Sequence, residues 1–205
     1  MCGFLGIIDY KHQINLKRAQ VALDTVKHRG PDAQNTWIDG NYIYFGHNRL
    51  SIIDVSKRAN QPFLSSKQDA LIVFNGEIYN YRELRGELSF NSFTTNSDTE
   101  TILEGYLEKG VKFFQKLRGI YSFVILDRRN SDKIIMVRDP AGVKPLYYTI
   151  QNQSLIFSSE IKAIKSLSYE CIFTNCWLVK PCISNFKNFP NKNSVIINPA
   201  IKYVL

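Results

Sequence analysis

MCGFLGIIDY, residues 1–10, is the stretch on which the interpretation of this chain turns. Phe4 to Ile8 is a short apolar run punctuated by Gly3 and Gly6, and residues 3–9 predict a buried strand almost at the N-terminus. Cys2 stands just ahead of it. If Met1 is removed, as the small residue at position 2 favours, the chain starts with a thiol and a free α-amine on one residue. A thiolate is a strong nucleophile, and an α-amine with an ordinary pKa of about 7.7 to 8 can act as its base near neutral pH. A buried cysteine at a strand start is the alternative reading, so the remaining residues must decide.

Outward from this stretch, 205 residues suit one domain, or one domain with a tail. A composition 44% hydrophobic and 21% charged, with 13 Phe and 11 Tyr, is that of a soluble globular protein with a sizeable core. No window approaches the apolar length of a membrane-crossing helix, and the N-terminus lacks the basic-then-apolar pattern of a secretory signal. The expectation is a cytoplasmic protein. The net charge of +8 is dispersed: residues 1–165 carry 22 basic and 17 acidic groups and the last 40 carry 4 and 1, with no basic run of five. That distribution favours solvated surface charge over a nucleic-acid patch. Cysteines 2, 171, 176 and 182 lack both a disulfide framework and a CxxC metal knuckle, and His12, His28 and His47 lack ligand spacing, so no metal site is expected.

Along the chain, Asn15 can cap a helix running to about Lys27, with Leu16, Ala19, Leu23 and Val26 on one face. His28-Arg29-Gly30-Pro31-Asp32 stops it. Strands near Thr36–Ile38 and Tyr42–Phe45 flank an Asp39-Gly40 hairpin signal, and Ser51-Ile52-Ile53 forms a third apolar strip. Residues 70–74, ALIVF, predict a strand that stops at Asn75-Gly76, followed by a helical pattern through about Leu88. Ser97-x-x-Glu100 has the form of a capping box, opening a helix that ends at Gly110, with a further short helix over Val111 to Leu117. Residues 120–126, 133–138, 145–150 and 154–158 predict four successive strands with antiparallel turns, and Ile161 to Ile164 starts a helix. Strand meanders with clustered helices indicate an α+β layered domain. From residue 166 onward the periodicity is poor, and the segment after Ser166 contains six Asn and no Gly.

Seven blocks occur in one order: MCGFLGIIDY, HRGPDAQNTW, GHNRLSIIDVS followed by NQPF, FNGEIYNYRELR, SDTET, RDPAGVKPLYY and FSSEIKAI. Together they resemble the class II glutamine amidotransferase domain of asparagine synthetases and their relatives, over roughly residues 2–165. NRLSIIDVS and FNGEIYNY favour the asparagine synthetase branch over the sugar-phosphate and phosphoribosyl-pyrophosphate amidotransferases. The resemblance implies an N-terminal-nucleophile hydrolase fold, a four-layer αββα sandwich of two antiparallel sheets, and hydrolysis of the glutamine side-chain amide to glutamate and ammonia. It implies Cys2 as the nucleophile forming a thioester, with Asn75 and Gly76 as the oxyanion hole. It implies Arg49 as a clamp on the substrate α-carboxylate and Asp98, with Glu77, as acceptors of its α-ammonium. Backbone near Leu50 and Ile53 should line the same pocket. Each has an ordinary reading too: Asn75-Gly76 a strand-ending turn, Arg49 a surface arginine, Asp98 a first-turn carboxylate facing the helix dipole. The charged blocks around His28–Asp32 and Arg138–Lys144 fit structural roles, ordering the pocket or facing a synthetase partner.

Full asparagine synthetases continue into a domain with a Ser-Gly-Gly-x-Asp-Ser loop for ATP, and nothing here resembles that loop. Residues 166–205 also depart from the family's usual continuation. The expectation is therefore a domain over residues 2–165 with a tail of unknown structure, and no cofactor in this chain. ATP and Mg enter only with a synthetase domain or partner. Ammonia then needs an acceptor site on a missing domain or a separate subunit, and a homodimer is an open option. A non-catalytic glutamine-binding or regulatory module, or a truncated synthetase fragment, is the alternative.

Overall fold

The computed structural model describes residues 1–151 and 154–167, and a strand at 194–199. Two five-stranded sheets face each other. The first has the order β2 (Ala33–Asp39), β3 (Ile43–Arg49), β1 (Gly3–Ile8), β9 (Ser154–Ser158), β8 (Tyr147–Gln151), all antiparallel. The second has the order β10 (Ser194–Pro199), β7 (Lys133–Arg138), β6 (Gly119–Asp127), β5 (Ala70–Ile78), β4 (Phe63–Leu64). It is antiparallel except that β10 runs parallel to β7. Helices α1 (Leu16–Asp24) and α4 (Ile161–Lys165) cover the outer face of the first sheet; α2 (Tyr81–Gly86) and α3 (Asp98–Lys109) cover that of the second. This is the expected α+β sandwich of four layers.

Strand parity builds the core. On β1, Phe4 and Ile8 face the opposite sheet while Leu5 and Ile7 pack under Ala19, Leu23, Ala163 and Ile164 of the helices. On β3, Ile43 and Phe45 point between the sheets and Tyr44 points out. On β5, Leu71 and Val73 point between the sheets, while Ile72, Phe74 and Ile78 pack against Leu84, Ile102 and Leu103. Gly6 is required by this arrangement, since a Cβ there would lie 1.9 Å from the Phe157 ring.

The local signals held where hydrogen bonding backed them. Asn15 caps α1 by accepting from Arg18 N–H at 3.1 Å, although the α-helix ends at Asp24 and a 3₁₀ turn follows at Lys27–Arg29. The Asp39-Gly40 hairpin closes with Gly40 and Asn41 at φ of 53° and 61°. Ser97 caps α3 by accepting from Glu100 N–H. Glu100 does not complete a capping box: its carboxylate takes the N–H and hydroxyl groups of Thr94 and Thr95 instead.

Three expectations are corrected. The strand predicted to stop at Asn75-Gly76 continues to Ile78, because β6 pairs along its whole length as far as Ile78 opposite Gly119. Ladder pairing overrides the turn preference of Asn-Gly, so helix α2 begins only at Tyr81. The strip Ser51-Ile52-Ile53 is loop, with Ile52 69% exposed. The four late strands are not one meander. β6 and β7 belong to the second sheet and β8 and β9 to the first, so residues 139–146 cross between the sheets. The tail expectation for residues 166–205 falls mostly outside the described residues, apart from 166–167 and β10. Among the described residues no helix is long and apolar enough to cross a membrane.

Candidate active site

The same parity that makes the core also makes the site. On β3 the inward positions after Ile43 and Phe45 are His47 and Arg49. On β5 those after Leu71 and Val73 are Asn75 and Glu77. At one end of the sandwich the inter-sheet filling thus changes from apolar to polar, and there Cys2 precedes β1. A cavity of about 110 Å³ opens at this end, and all eight residues singled out from the sequence line it: Cys2, Arg49, Leu50, Ile53, Asn75, Gly76, Glu77 and Asp98.

The Cys2 thiol is held by the backbone of Leu50, donating to its carbonyl at 3.6 Å and accepting from its N–H at 3.4 Å. Burial pushes the thiol pKa up; the Leu50 contact, the terminal amine and Arg49 pull it down, and Asp98 opposes them. The Cys2 carbonyl accepts from Arg29 Nε at 2.9 Å, and Arg29 is itself held by Glu160 at 2.9 Å. The HRGPD block therefore orders the Cys2 backbone, in keeping with its structural reading.

Asn75 is completely buried, and neither its Nδ2 nor its Oδ1 has a hydrogen-bond partner among the described residues. Its neighbour Gly76 lies on the open edge of β5, which β4 covers only as far as Ile72. Side chains satisfy that edge on either side of Gly76. Gln61 accepts from Phe74 N–H at 2.6 Å, His47 Nε2 donates to the Phe74 carbonyl at 3.0 Å, and Asp98 accepts from Ile78 N–H at 3.0 Å. Residues 74, 76 and 78 direct their backbone groups to the same edge, so the Gly76 N–H points into the cavity between two occupied neighbours. The bond to a carbonyl also fixes the His47 proton on Nε2. Burial pushes this imidazole down to about 4, with Arg49 adding to the effect and the Phe74 carbonyl opposing it.

Arg49, 6% exposed, donates through Nη1 to the Ser56 carbonyl and Asn60 Oδ1, both at 2.7 Å, and through Nη2 to the Asp54 carbonyl. It stands in the cavity wall and at the same time gathers the 51–60 loop that forms the rim. Asp98 opens α3, and burial raises its pKa to about 6 against the pull of the Ile78, Thr99 and Asp98 backbone N–H groups, with Glu77 adding to the rise. Glu77 itself is exposed at the mouth. Sequence patterns did not single out Gln61 or His47, whose work is to satisfy a strand edge. No motif signals that role, because it exists only once β4 ends short of β5. Among the described residues no three His, Cys, Asp or Glu side chains gather to hold a metal ion.

Comparison with known proteins agrees with this geometry. The family model described as a glutamine amidotransferase domain matches residues 1–187. Asparagine synthetase [glutamine-hydrolyzing] 2 of Bacillus subtilis (strain 168) is 36% identical over 198 residues, covering 91% of this chain and 26% of that protein. Asparagine synthetase [glutamine-hydrolyzing] 1 of the same organism is 41% identical over 171 residues, covering 80% and 26%. The chain thus spans about a quarter of the length of these relatives. Among solved structures, the glutamine phosphoribosylpyrophosphate amidotransferase from B. subtilis, complexed with ADP and GMP, superposes with a TM-score of 0.67 at 22% identity, covering 81% of this chain and 43% of that one. That likeness shares the fold. With a family model over most of its length, the chain belongs to the glutamine amidotransferase domain family.

Proposed function

We propose that this domain hydrolyses glutamine to glutamate and ammonia with Cys2 as nucleophile, and passes the ammonia to an acceptor site of the asparagine synthetase type on another domain or subunit. The observation that supports this most directly is the unpartnered amide of Asn75 beside the inward N–H of Gly76, in the cavity that Cys2 lines. A buried amide without a partner costs about 1 to 3 kcal/mol. A transiently charged oxygen is the ligand that would offset this.

In the proposed sequence the Cys2 α-amine, freed by loss of Met1, takes the thiol proton as Sγ attacks the glutamine δ-carbonyl. Asn75 Nδ2 and Gly76 N–H donate to the developing oxyanion. The tetrahedral intermediate collapses to the thioester as the α-ammonium returns its proton to the departing ammonia, and water then hydrolyses the thioester. Arg49 would face the substrate α-carboxylate, with Asp98 and Glu77 toward the α-ammonium, and backbone near Leu50 and Ile53 lining the pocket. None of these steps calls for a cofactor in this chain; ATP and Mg belong with the synthetase part. A reducing cytoplasmic setting suits a free Cys2 thiol, and a homodimer is one assembly this scheme allows. Glutamate release by wild type and Cys2→Ala decides the proposal, and equal rates would sink it.

One contact favours a second reading, a glutamine-binding module without turnover. With Met1 in place, its Sδ occupies Lys144 Nζ at 2.7 Å and the Cys2 amine is tied up in a peptide bond. Intact mass separates the two readings: retained Met1 with glutamine binding but no glutamate release supports the second.

A further inference from the structure

Lys144 is 7% exposed and stands in the wall of the Cys2 cavity. Its backbone is fixed from two sides. Asp139 accepts from Lys144 N–H at 2.9 Å and from Val143 N–H at 2.9 Å, and Arg138 Nε donates to the Lys144 carbonyl at 2.7 Å. Its side chain, by contrast, has no carboxylate partner among the described residues. Nζ meets the thioether of Met1, a weak acceptor, on the residue whose removal creates the catalytic terminus. A buried ammonium without a counter-ion is costly, and such groups are otherwise paired. The charged groups around it are Arg29 from the turn after α1 (itself paired with Glu160), Asp139 of its own loop, Glu77 of β5, and Cys2, which in turn is acted on by Arg49 and Asp98. Burial holds the ammonium below the usual lysine range and Arg29 adds to this; Asp139, Cys2 and Glu77 oppose both. Arg29 has an unpartnered, buried Nη2 of its own, so two cations flank the N-terminal residue.

We propose that Lys144 is a positioning residue for the nucleophile: once Met1 is gone, its ammonium faces the Cys2 terminus and lowers the pH at which the thiol–amine pair loses its first proton. The argument rests on Cys2 being the nucleophile. The sign does not depend on which of the two groups gives up the proton. Either loss removes one positive charge beside a fixed cation, so the pair titrates as a unit at lower pH. The consequence is a larger fraction of reactive terminus at neutral pH.

The test uses the full chain with Met1 removed, confirmed by intact mass, as wild type, Lys144→Met and Lys144→Gln. Iodoacetamide modification of Cys2, read on the N-terminal peptide by mass spectrometry, is followed against pH alongside the acid limb of kcat/KM for glutamine hydrolysis. In both variants the two midpoints should rise by about one pH unit, with alkylation about tenfold slower on the acid side. Lys144→Gln keeps the experiment decisive should Lys144→Met fail to fold. Midpoints that coincide with wild type in a folded variant overturn the proposal, as does a change in kcat/KM with no change in the alkylation profile. A shifted alkylation profile in a chain that releases no glutamate supports the role of Lys144 and refutes glutamine hydrolysis instead.

Discussion

Replacing Asp98 with Asn should make the protein more stable at neutral pH and worse at binding glutamine. The carboxyl is 4% exposed and its pKa is raised to about 6 from an ordinary 3.8, chiefly by burial. A carboxyl that holds its proton more tightly in the folded state favours folding below pH 3.8. That advantage is lost as pH rises to 6, and above 6 the loss is complete. At 1.36 kcal/mol per pH unit it amounts to about 3 kcal/mol. Asparagine keeps an oxygen to accept the Ile78 N–H and carries no charge to desolvate. Asp98→Asn should therefore gain about 2 to 3 kcal/mol at pH 7 and close to nothing at pH 4. Urea unfolding at a series of pH values measures this, and the midpoint should rise by about 1 M at pH 7 with the slope unchanged. On the proposed reading, in which Asp98 faces the substrate ammonium, glutamine affinity in the same variant should fall about tenfold or more. A stability gain equal at pH 4 and pH 7, or none at pH 7, would refute the idea that Asp98 is a desolvated carboxylate waiting for a cation.

Further predictions follow from neighbouring groups. Asn75→Leu removes two unpartnered buried polar atoms and should leave the thermal midpoint unchanged or raised, while glutamate release falls about 10²- to 10³-fold. Gly76→Ala should lower stability by about 1 to 3 kcal/mol in chemical denaturation, because the new Cβ would lie 2.3 Å from the Ile120 carbonyl and 2.6 Å from Tyr121 Cα. His47 is depressed to about 4 in the folded protein, so its contribution is present above its unfolded value of 6.5 and is lost as pH falls from 6.5 to 4. His47→Gln, which can still donate to the Phe74 carbonyl, should match wild type near pH 7.5 and exceed its thermal midpoint near pH 5.

How much of this could be read in advance differs by residue. β1, the Asn15 cap, the Asp39-Gly40 hairpin and the Ser97 cap were legible because each rests on interactions within a few residues. Asn75-Gly76 reads locally as the end of a strand for the opposite reason: what carries β5 on to Ile78 is β6, more than forty residues away. The crossing of the chain between sheets after β7 was hidden in the same way, since a turn signal reports a reversal and not which sheet receives the next strand. Cys2, Arg49, Asn75 and Asp98 could be named because whole blocks resembled a family. Lys144 lay inside such a block, but its bare ammonium is a property of the folded cavity. Likewise, the sequence could suggest Arg49 as a carboxylate clamp but could not indicate that two of its nitrogens hold the 51–60 loop.

The buried polar groups at the cavity are more expensive to hold than the apolar residues that precede them on the same strands. Continuing Ile43-Phe45 and Leu71-Val73 with further apolar side chains would extend the core by one layer. Instead β3 and β5 place a neutral histidine, an arginine, an unpartnered amide and an exposed glutamate there. The sandwich stays closed because the β5 edge is satisfied by Gln61, His47 and Asp98 rather than by a strand. That substitution leaves the Gly76 N–H uncovered in a place where a longer β4 would otherwise have taken it. The opening at the edge of the second sheet and the Gly76 donor in the cavity that Cys2 lines are therefore one structural feature. Covering the edge would stabilise the fold and remove the site, which is why the destabilising groups cluster here and not elsewhere along the same two strands.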